Sequence, residues 1–252
     1  MLWSVRKLLT AATAMVGLSS ALVASEVHAM DSFEKASEIL PSIYSQLDRE
    51  IGNTTTLYCG CALFYRQSGD STEWFTDTFG CGYEPRRSEK RANSVAFDRV
   101  MSPWVFAQGL ECWFNGGRRG CIIDEKFNLM DGDMHNIFPA IGEISGNRAT
   151  FRFDDWGERP SQYGSCPVVV DFAGRRAQPS DRSRGQIARA MLYMCQRYRI
   201  SIGGDQHMLF EQWNEKYPPD VIECRRNELI AEAQGNDNPF ITSACTVGRK
   251  RR

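Results

Sequence analysis

Histidine is scarce in this chain: only His28, His135 and His207 occur. Imidazole-based proton transfer near neutral pH therefore has few candidates. A surplus of positive charge is also missing. Lys and Arg number 30 against 31 Asp and Glu, for a formal net charge of −1. Proteins that grip phosphate backbones are usually basic on at least one face, so strong general nucleic-acid binding is not expected. No C-x-x-C pair occurs. The close pair Cys59-Gly60-Cys61 is followed by no matching Cys/His pair, which counts against a zinc site. No internal repeat or low-complexity linker divides the sequence.

The one apolar run of any length is N-terminal. Arg6 and Lys7 precede an apolar stretch from Leu8 to Val23, and Val27-His28-Ala29 fits a small-residue cleavage site. Residues 1–29 thus read as a secretory signal. A membrane anchor is the competing reading, but the run is short and holds Thr and Ser. No cysteine sits near the cleavage point to take a lipid. Residues 30–252 then suit a single compact domain in a periplasmic or secreted setting.

All nine cysteines follow the signal, at 59, 61, 81, 112, 121, 166, 195, 224 and 245. In an exported chain this density implies disulfides, with eight able to pair and one left over. The only dense basic run is Arg249-Lys250-Arg251-Arg252, which reads as a solvated tail.

Asp31 with Glu34 makes a possible capping box. Phe33, Ala36, Leu40, Ile43, Tyr44, Leu47 and Ile51 follow helical spacing, with Pro41 as an expected kink or break. Strands are expected over Thr54 to Tyr65, Arg148 to Phe153 and Val168 to Phe172. The last third reads as three helices, around Ile187–Tyr198, Met208–Tyr217 and Val221–Ala233. The class is α+β with a mainly helical C-terminal part.

Several ordered segments carry a resemblance. Ala96-Phe97-Asp98-Arg99-Val100-Met101-Ser102-Pro103-Trp104-Val105-Phe106 looks like E-W-E-H-V-V-P-A-W-x-F. Tyr58-Cys59-Gly60-Cys61 looks like Y-C-G-C. Cys112-Trp113, Gly116-Gly117-Arg118 and Cys121 look like C-W-x-x-G-G-R-x-x-C. Asp133-Met134-His135-Asn136 looks like D-x-H-N, and Gly142 to Arg148 looks like G-E-V-N-G-D-R. Further blocks run to Cys245. Together they resemble the endonuclease I family of exported nucleases.

The resemblance implies a ββα-metal, or His-Me finger, core stabilised by disulfides. It implies a divalent ion, usually Mg²⁺, that stabilises the leaving oxygen, a histidine that activates water, and an arginine that holds the scissile phosphate. Eight cysteines match the family positions, so Cys195 is the extra one, expected as a buried free thiol.

The departures fall on the chemistry. Arg99 stands where the family has its general-base histidine, and a guanidinium cannot accept a proton near neutral pH. Asp98 stands where a metal-binding Glu belongs and is one methylene shorter. Ser145 replaces the Asn expected to bind metal, Ser102 replaces a Pro, and Asp237 replaces a late His. Arg118 is kept at the phosphate position. His135 is kept, with a structural role as the bland reading. A salt bridge from Arg99 to Asp98 or another carboxylate is an expected substitute for the metal.

Three functions compete. The first favours an exported pseudo-nuclease that needs no cofactor and acts as a binding module. For that module a protein partner is favoured over general nucleic-acid binding; the second is a structural component of an exported assembly, with Cys195 or the basic tail as contact points. The third is a weak or atypical sugar-non-specific endonuclease using Mg²⁺, Asp98 and Arg118, with His135 as an alternative base.

Overall fold

The computed structural model describes residues 32–68 and 71–250. The signal segment 1–29, Arg251, Arg252 and the side chains of Arg249 and Lys250 lie outside the described residues. Helix α1 spans Phe33–Glu50. Its N-cap is Ser32, whose side chain accepts from the Lys35 amide; Asp31, the expected cap, lies outside the described residues. The helix continues through Pro41, and Ala36, Leu40, Ile43, Tyr44 and Leu47 form its buried stripe.

Strands β1 (Leu63–Ser68) and β2 (Ser71–Thr76) form an antiparallel hairpin. After the short helix α2 (Glu89–Ala92) comes β3 (Val95–Arg99), which pairs antiparallel with β4 (Ile137–Ile141). The register sets Asp98 opposite Phe138 and Arg99 opposite Ile137. Between these strands lie α3 (Pro103–Phe106), α4 (Glu111–Gly120), α5 (Glu125–Asp131) and a 3₁₀ turn over Met134–Asn136. Strand β4 runs directly into α6 (Gly142–Arg148). At that junction a Cβ on Gly142 would sit 2.3 Å from Ser94 Oγ and 3.0 Å from the Arg91 carbonyl, so glycine allows the close approach.

A three-stranded sheet follows, in the order β5 (Arg152–Phe153), β7 (Arg176–Gln178), β6 (Val169–Asp171). The helices α7 (Asp181–Tyr198), α8 (Gly204–Lys216), α9 (Val221–Gln234) and α10 (Pro239–Lys250) complete the chain. The mixture of helices and small sheets is α+β.

Two strand expectations need correction. Arg148 ends α6, and only Arg152–Phe153 is extended. An alternation of charged or polar with apolar residues suggested the strand, but the Arg148 side chain is buried. Over Thr54 to Tyr65, a turn closed by the Thr55–Ala62 bridge precedes β1 at Leu63. Gly60 at φ 71° and the Cys61 amide bonded to Thr56 Oγ1 shape that turn.

The larger core gathers Tyr58, Met101, Phe127, Phe138, Ile144, Ile187, Tyr193 and Trp213. A second cluster packs α1 on α9 through Leu40, Leu47, Leu229 and Ile230. Between α7 and α9 the buried Arg189 and Glu223 form a two-point ion pair, both bonds 2.6 Å. Four disulfides join Cys59–Cys166, Cys61–Cys81, Cys112–Cys121 and Cys224–Cys245. The first closes the longest loop, 107 residues apart. A loop of that length is restrained by on the order of 4–5 kcal/mol in the chain-entropy picture. Cys195 is the free cysteine, partly buried on α7.

Burial pushes the Cys195 thiol up to about 11, so little thiolate exists at neutral pH. Alkylation of the native protein without reductant is therefore expected to label one thiol, slowly, at Cys195. Peptide mass spectrometry checks this. Rapid labelling, or label on several cysteines of the folded protein, would contradict it.

Candidate active site

Successive residues of a strand point to opposite faces. At the end of β3 this separates Asp98 from Arg99. Asp98 turns inward and is buried, whereas Arg99 turns towards α1 and α5.

Three side chains occupy the Asp98 carboxylate. Ser145 Oγ donates to Oδ1 at 3.0 Å. The Tyr58 hydroxyl donates to Oδ2 at 2.6 Å, and Arg148 donates to the same oxygen at 2.9 Å. Ser145 and Arg148 lie three residues apart on α6, one turn of the helix, and so reach one target. Arg148 also donates to the carbonyls of Val100, at 3.1 Å, and Arg99, at 2.5 Å. Burial opposes its charge, but Asp98 and Tyr58 outweigh that, and its pKa is raised. Burial, with Asp98 adding to it, holds the Tyr58 hydroxyl well above its ordinary range, so it remains a donor.

Arg99 makes no ion pair with Asp98. Its partner is the other carboxylate, Asp131 at the end of α5. Arg99 Nε lies 2.5 Å from Oδ1, and a terminal nitrogen donates to Oδ2 at 3.0 Å. Above the guanidinium sits the Phe33 ring, its centroid 3.4 Å from Cζ. Burial lowers the Arg99 pKa to about 10, against the pull of Asp131. The group stays cationic at neutral pH and cannot act as a base there.

Arg118 meets the same carboxylate from α4. The helix breaks at Gly117, where φ is 55° and ψ −145°, and this re-aims the residue that follows. The Cys112–Cys121 bond closes the same segment. Arg118 donates to Asp131 Oδ2 at 3.0 Å, yet its side chain is 47% exposed. Burial raises the Asp131 pKa, while Arg99 and Arg118 pull it down.

The substituted Ser102 is the N-cap of α3, with Pro103 in the first helical position where proline is favoured. The adjacent Met101 backbone is fixed at both ends by the Asn136 amide, at 2.7 and 2.9 Å. The shifted proline is therefore accommodated. Asp237 takes a hydrogen bond from the Thr242 hydroxyl at the start of α10.

His135 stands apart from this group. It is 1% exposed, its Nε2 is 2.9 Å from the Asn236 carbonyl, and its ring meets the Tyr193 ring edge-on. No hydrogen bond joins it to Asp98, Arg99 or Arg118 among the described residues. Cys195 is likewise remote, lining a surface cavity between α7 and α8 with His207 and Met208.

The residues at the ligand positions do not fit Mg²⁺. Both oxygens of Asp98 are taken by internal donors, and the Ser145 hydroxyl points its proton at that carboxylate. Arg148 pairs with Asp98, while Arg99 and Arg118 meet Asp131, with Glu34 also acting on that carboxylate. The Arg148 charge on Asp98 opposes the approach of a divalent cation to that carboxylate. No group of three or more His, Cys, Asp or Glu suited to a metal exists among the described residues. What the arrangement can do is present Arg118 to an anion.

Sequence reasoning reached Asp98, Arg99, Arg118 and Ser145 but missed Asp131 and Phe33. Tyr58 and Arg148 lay inside quoted motifs without a role. Nothing local marks Asp131; its importance arises from two arginines converging on it.

Burial lowers the His135 pKa below its usual value near 6.5, so it is neutral in the fold. Its contribution is complete above about pH 6.5 and is lost as pH falls through the folded value, because the unfolded chain then binds the proton. Urea midpoints taken between about pH 7.5 and 5 should fall more for the wild type than for His135→Gln. Equal losses would remove His135 as the source.

A family model described as Endonuclease I matches residues 32–245. An extracellular deoxyribonuclease of Aeromonas hydrophila is 44% identical over 225 residues, covering 89% of this chain and 94% of the relative. A periplasmic deoxyribonuclease of the same organism is 45% identical over 192 residues, covering 76% and 79%. An Endonuclease-1 of Buchnera aphidicola subsp. Baizongia pistaciae is 36% identical over 192 residues, covering 75% and 77%. With matches spanning both the β3–α6 region and the disulfide framework, the chain belongs to the endonuclease I family.

Proposed function

We propose that this chain is an exported endonuclease I-type protein that holds phosphodiester without Mg²⁺-dependent cleavage. The carrying observation is Arg99, cationic at neutral pH at the position of the general base, with Ser145 at the second ligand position donating to Asp98. Strands β3 and β4 with helix α6 read as the ββα unit of this family. In that reading Arg148 and Tyr58, which match the family motifs, hold the Asp98 carboxylate in place. Arg99 replaces the base, and Asp131 balances it.

The extracellular and periplasmic names of the relatives, with the N-terminal signal pattern, support export. The expectation of a protein partner came from total charge. Total charge is a weak guide to a local surface, and the half-exposed Arg118 favours a phosphate ligand.

Loss of a general base costs about 10²–10⁴-fold in rate. Plasmid nicking with Mg²⁺ should therefore be at least about 100-fold slower than for a family member with the Glu-His pair. Calorimetric titration with Mg²⁺ should give no site-binding heat. Robust Mg²⁺-dependent cleavage by the unmodified protein, abolished in Arg118→Ala, would overturn the reading.

The restoration Asp98→Glu, Arg99→His, Ser145→Asn tests the cause directly. Together these changes should return Mg²⁺-dependent cleavage, with each single change returning much less because the groups act on one transition state. Activity restored by one change alone would show that the other positions do not limit the wild type.

A further inference from the structure

A second arginine cluster lies away from the Asp98 site. The guanidinium of Arg86 lies over the Phe172 ring, 4.4 Å from Cζ to centroid. Phe172 meets Phe151 edge-on at 6.2 Å between centroids. Arg175 lies 5.4 Å from the Phe151 centroid. These contacts form a continuous ladder of arginine, ring, ring, arginine. Phe172 is 39% exposed and Arg175 is exposed.

Both arginines are mounted on braced backbone. The buried Glu143 carboxylate accepts from the amides of Arg86, Arg87 and Ser88, at 3.0, 2.7 and 2.9 Å, and from the Tyr83 hydroxyl at 2.8 Å. The three amides and the Tyr83 hydroxyl overcome the upward push of burial and hold the Glu143 carboxyl low. Arg175 sits at φ 51° in the turn between β6 and β7, where Asp171 accepts from the Gly174 amide at 2.8 Å.

The charge around the ladder is unequal. Asp154 is engaged by Arg152 and Arg176, Asp171 by Arg176, and Asp155 by Arg184. Glu158 accepts from the Trp156 ring nitrogen. Glu84 is the exposed acidic neighbour of Arg86. Neither Arg86 nor Arg175 has a carboxylate partner among the described residues. Each guanidinium therefore packs one face on a ring and keeps its N–H groups for another acceptor.

We infer that this ladder is a contact surface for a nucleic-acid strand, additional to the Arg118 site. Arg86 and Arg175 take phosphates, and the exposed Phe172 offers a ring to a base. Rings interleaved with arginine suit single strands, because every base has a face to stack and every nucleotide a phosphate. An acidic chain such as polyglutamate would use the charges but has no ring to stack on Phe172. The surface acts in binding, so it stands or falls separately from the loss of cleavage.

The test is fluorescence anisotropy with labelled oligothymidylate of about 15 nucleotides, within the site sizes of single-strand binders. It is run in EDTA, with Arg118 intact, over a salt series. The double variant Arg86→Gln, Arg175→Gln should bind at least about tenfold more weakly. Its log–log salt slope should shrink by about 1–2, since each phosphate contact contributes about 0.7 for single strands. Thermal midpoints should match the wild type. Phe172→Ala keeps both charges and should weaken binding several-fold with the slope unchanged; it decides the matter if the double variant does not fold. The inference fails if the wild type binds no oligonucleotide at low salt. It fails equally if affinity and slope survive the substitutions, or if polyglutamate competes as well as the oligonucleotide.

Discussion

The buried ion pair between Arg148 and Asp98 is the constraint on which the site depends. Arg148 lies at the end of α6, and its guanidinium bridges the Asp98 side chain and the carbonyls of Arg99 and Val100. One side chain thus ties the helix to the end of β3 and sets the backbone from which Arg99 departs. Breaking such a pair by removing one partner costs about 3–5 kcal/mol, because the other charge is left buried. Tyr58 shares the same oxygen and Ser145 takes the other, so three elements converge on one carboxylate.

Arg99 illustrates a second constraint, the alternation of a strand. Its side chain is directed away from Asp98, to a region bounded by the N-terminal helix and α5. A guanidinium there needs both a counter-charge and a flat apolar face. Asp131 supplies the first and Phe33 the second. Helix α1 is held for this task by its packing on α9, which the Arg189–Glu223 pair fixes to α7. The electrostatics of the candidate site therefore extend to elements distant in sequence.

Rigid scaffolding recurs at the surface. The Cys112–Cys121 bond with the break at Gly117 directs Arg118. Glu143 holds the segment bearing Arg86 through three backbone amides. In both places an arginine on a long flexible stem is limited by the backbone beneath it, which lowers the ordering cost of meeting an anion.

The sequence by itself determined the family, the α+β class, the surplus cysteine and the residues at the altered positions. These are properties of local pattern and ordered motifs, and the Cys-rich framework leaves Cys195 as the unmatched thiol. Three of the four helices of the last third were legible because their apolar spacing persists over many residues; α10 was not among them. Short elements were not: Arg148 was read into a strand because a brief alternation cannot be told from a helix end that buries its charge. Which carboxylate Arg99 would choose, what would enclose Asp98, and which rings would support Arg86 and Arg175 were decided only by the tertiary structure. Each depends on groups tens of residues apart whose energies exist only once water is excluded and distances fall to hydrogen-bond range.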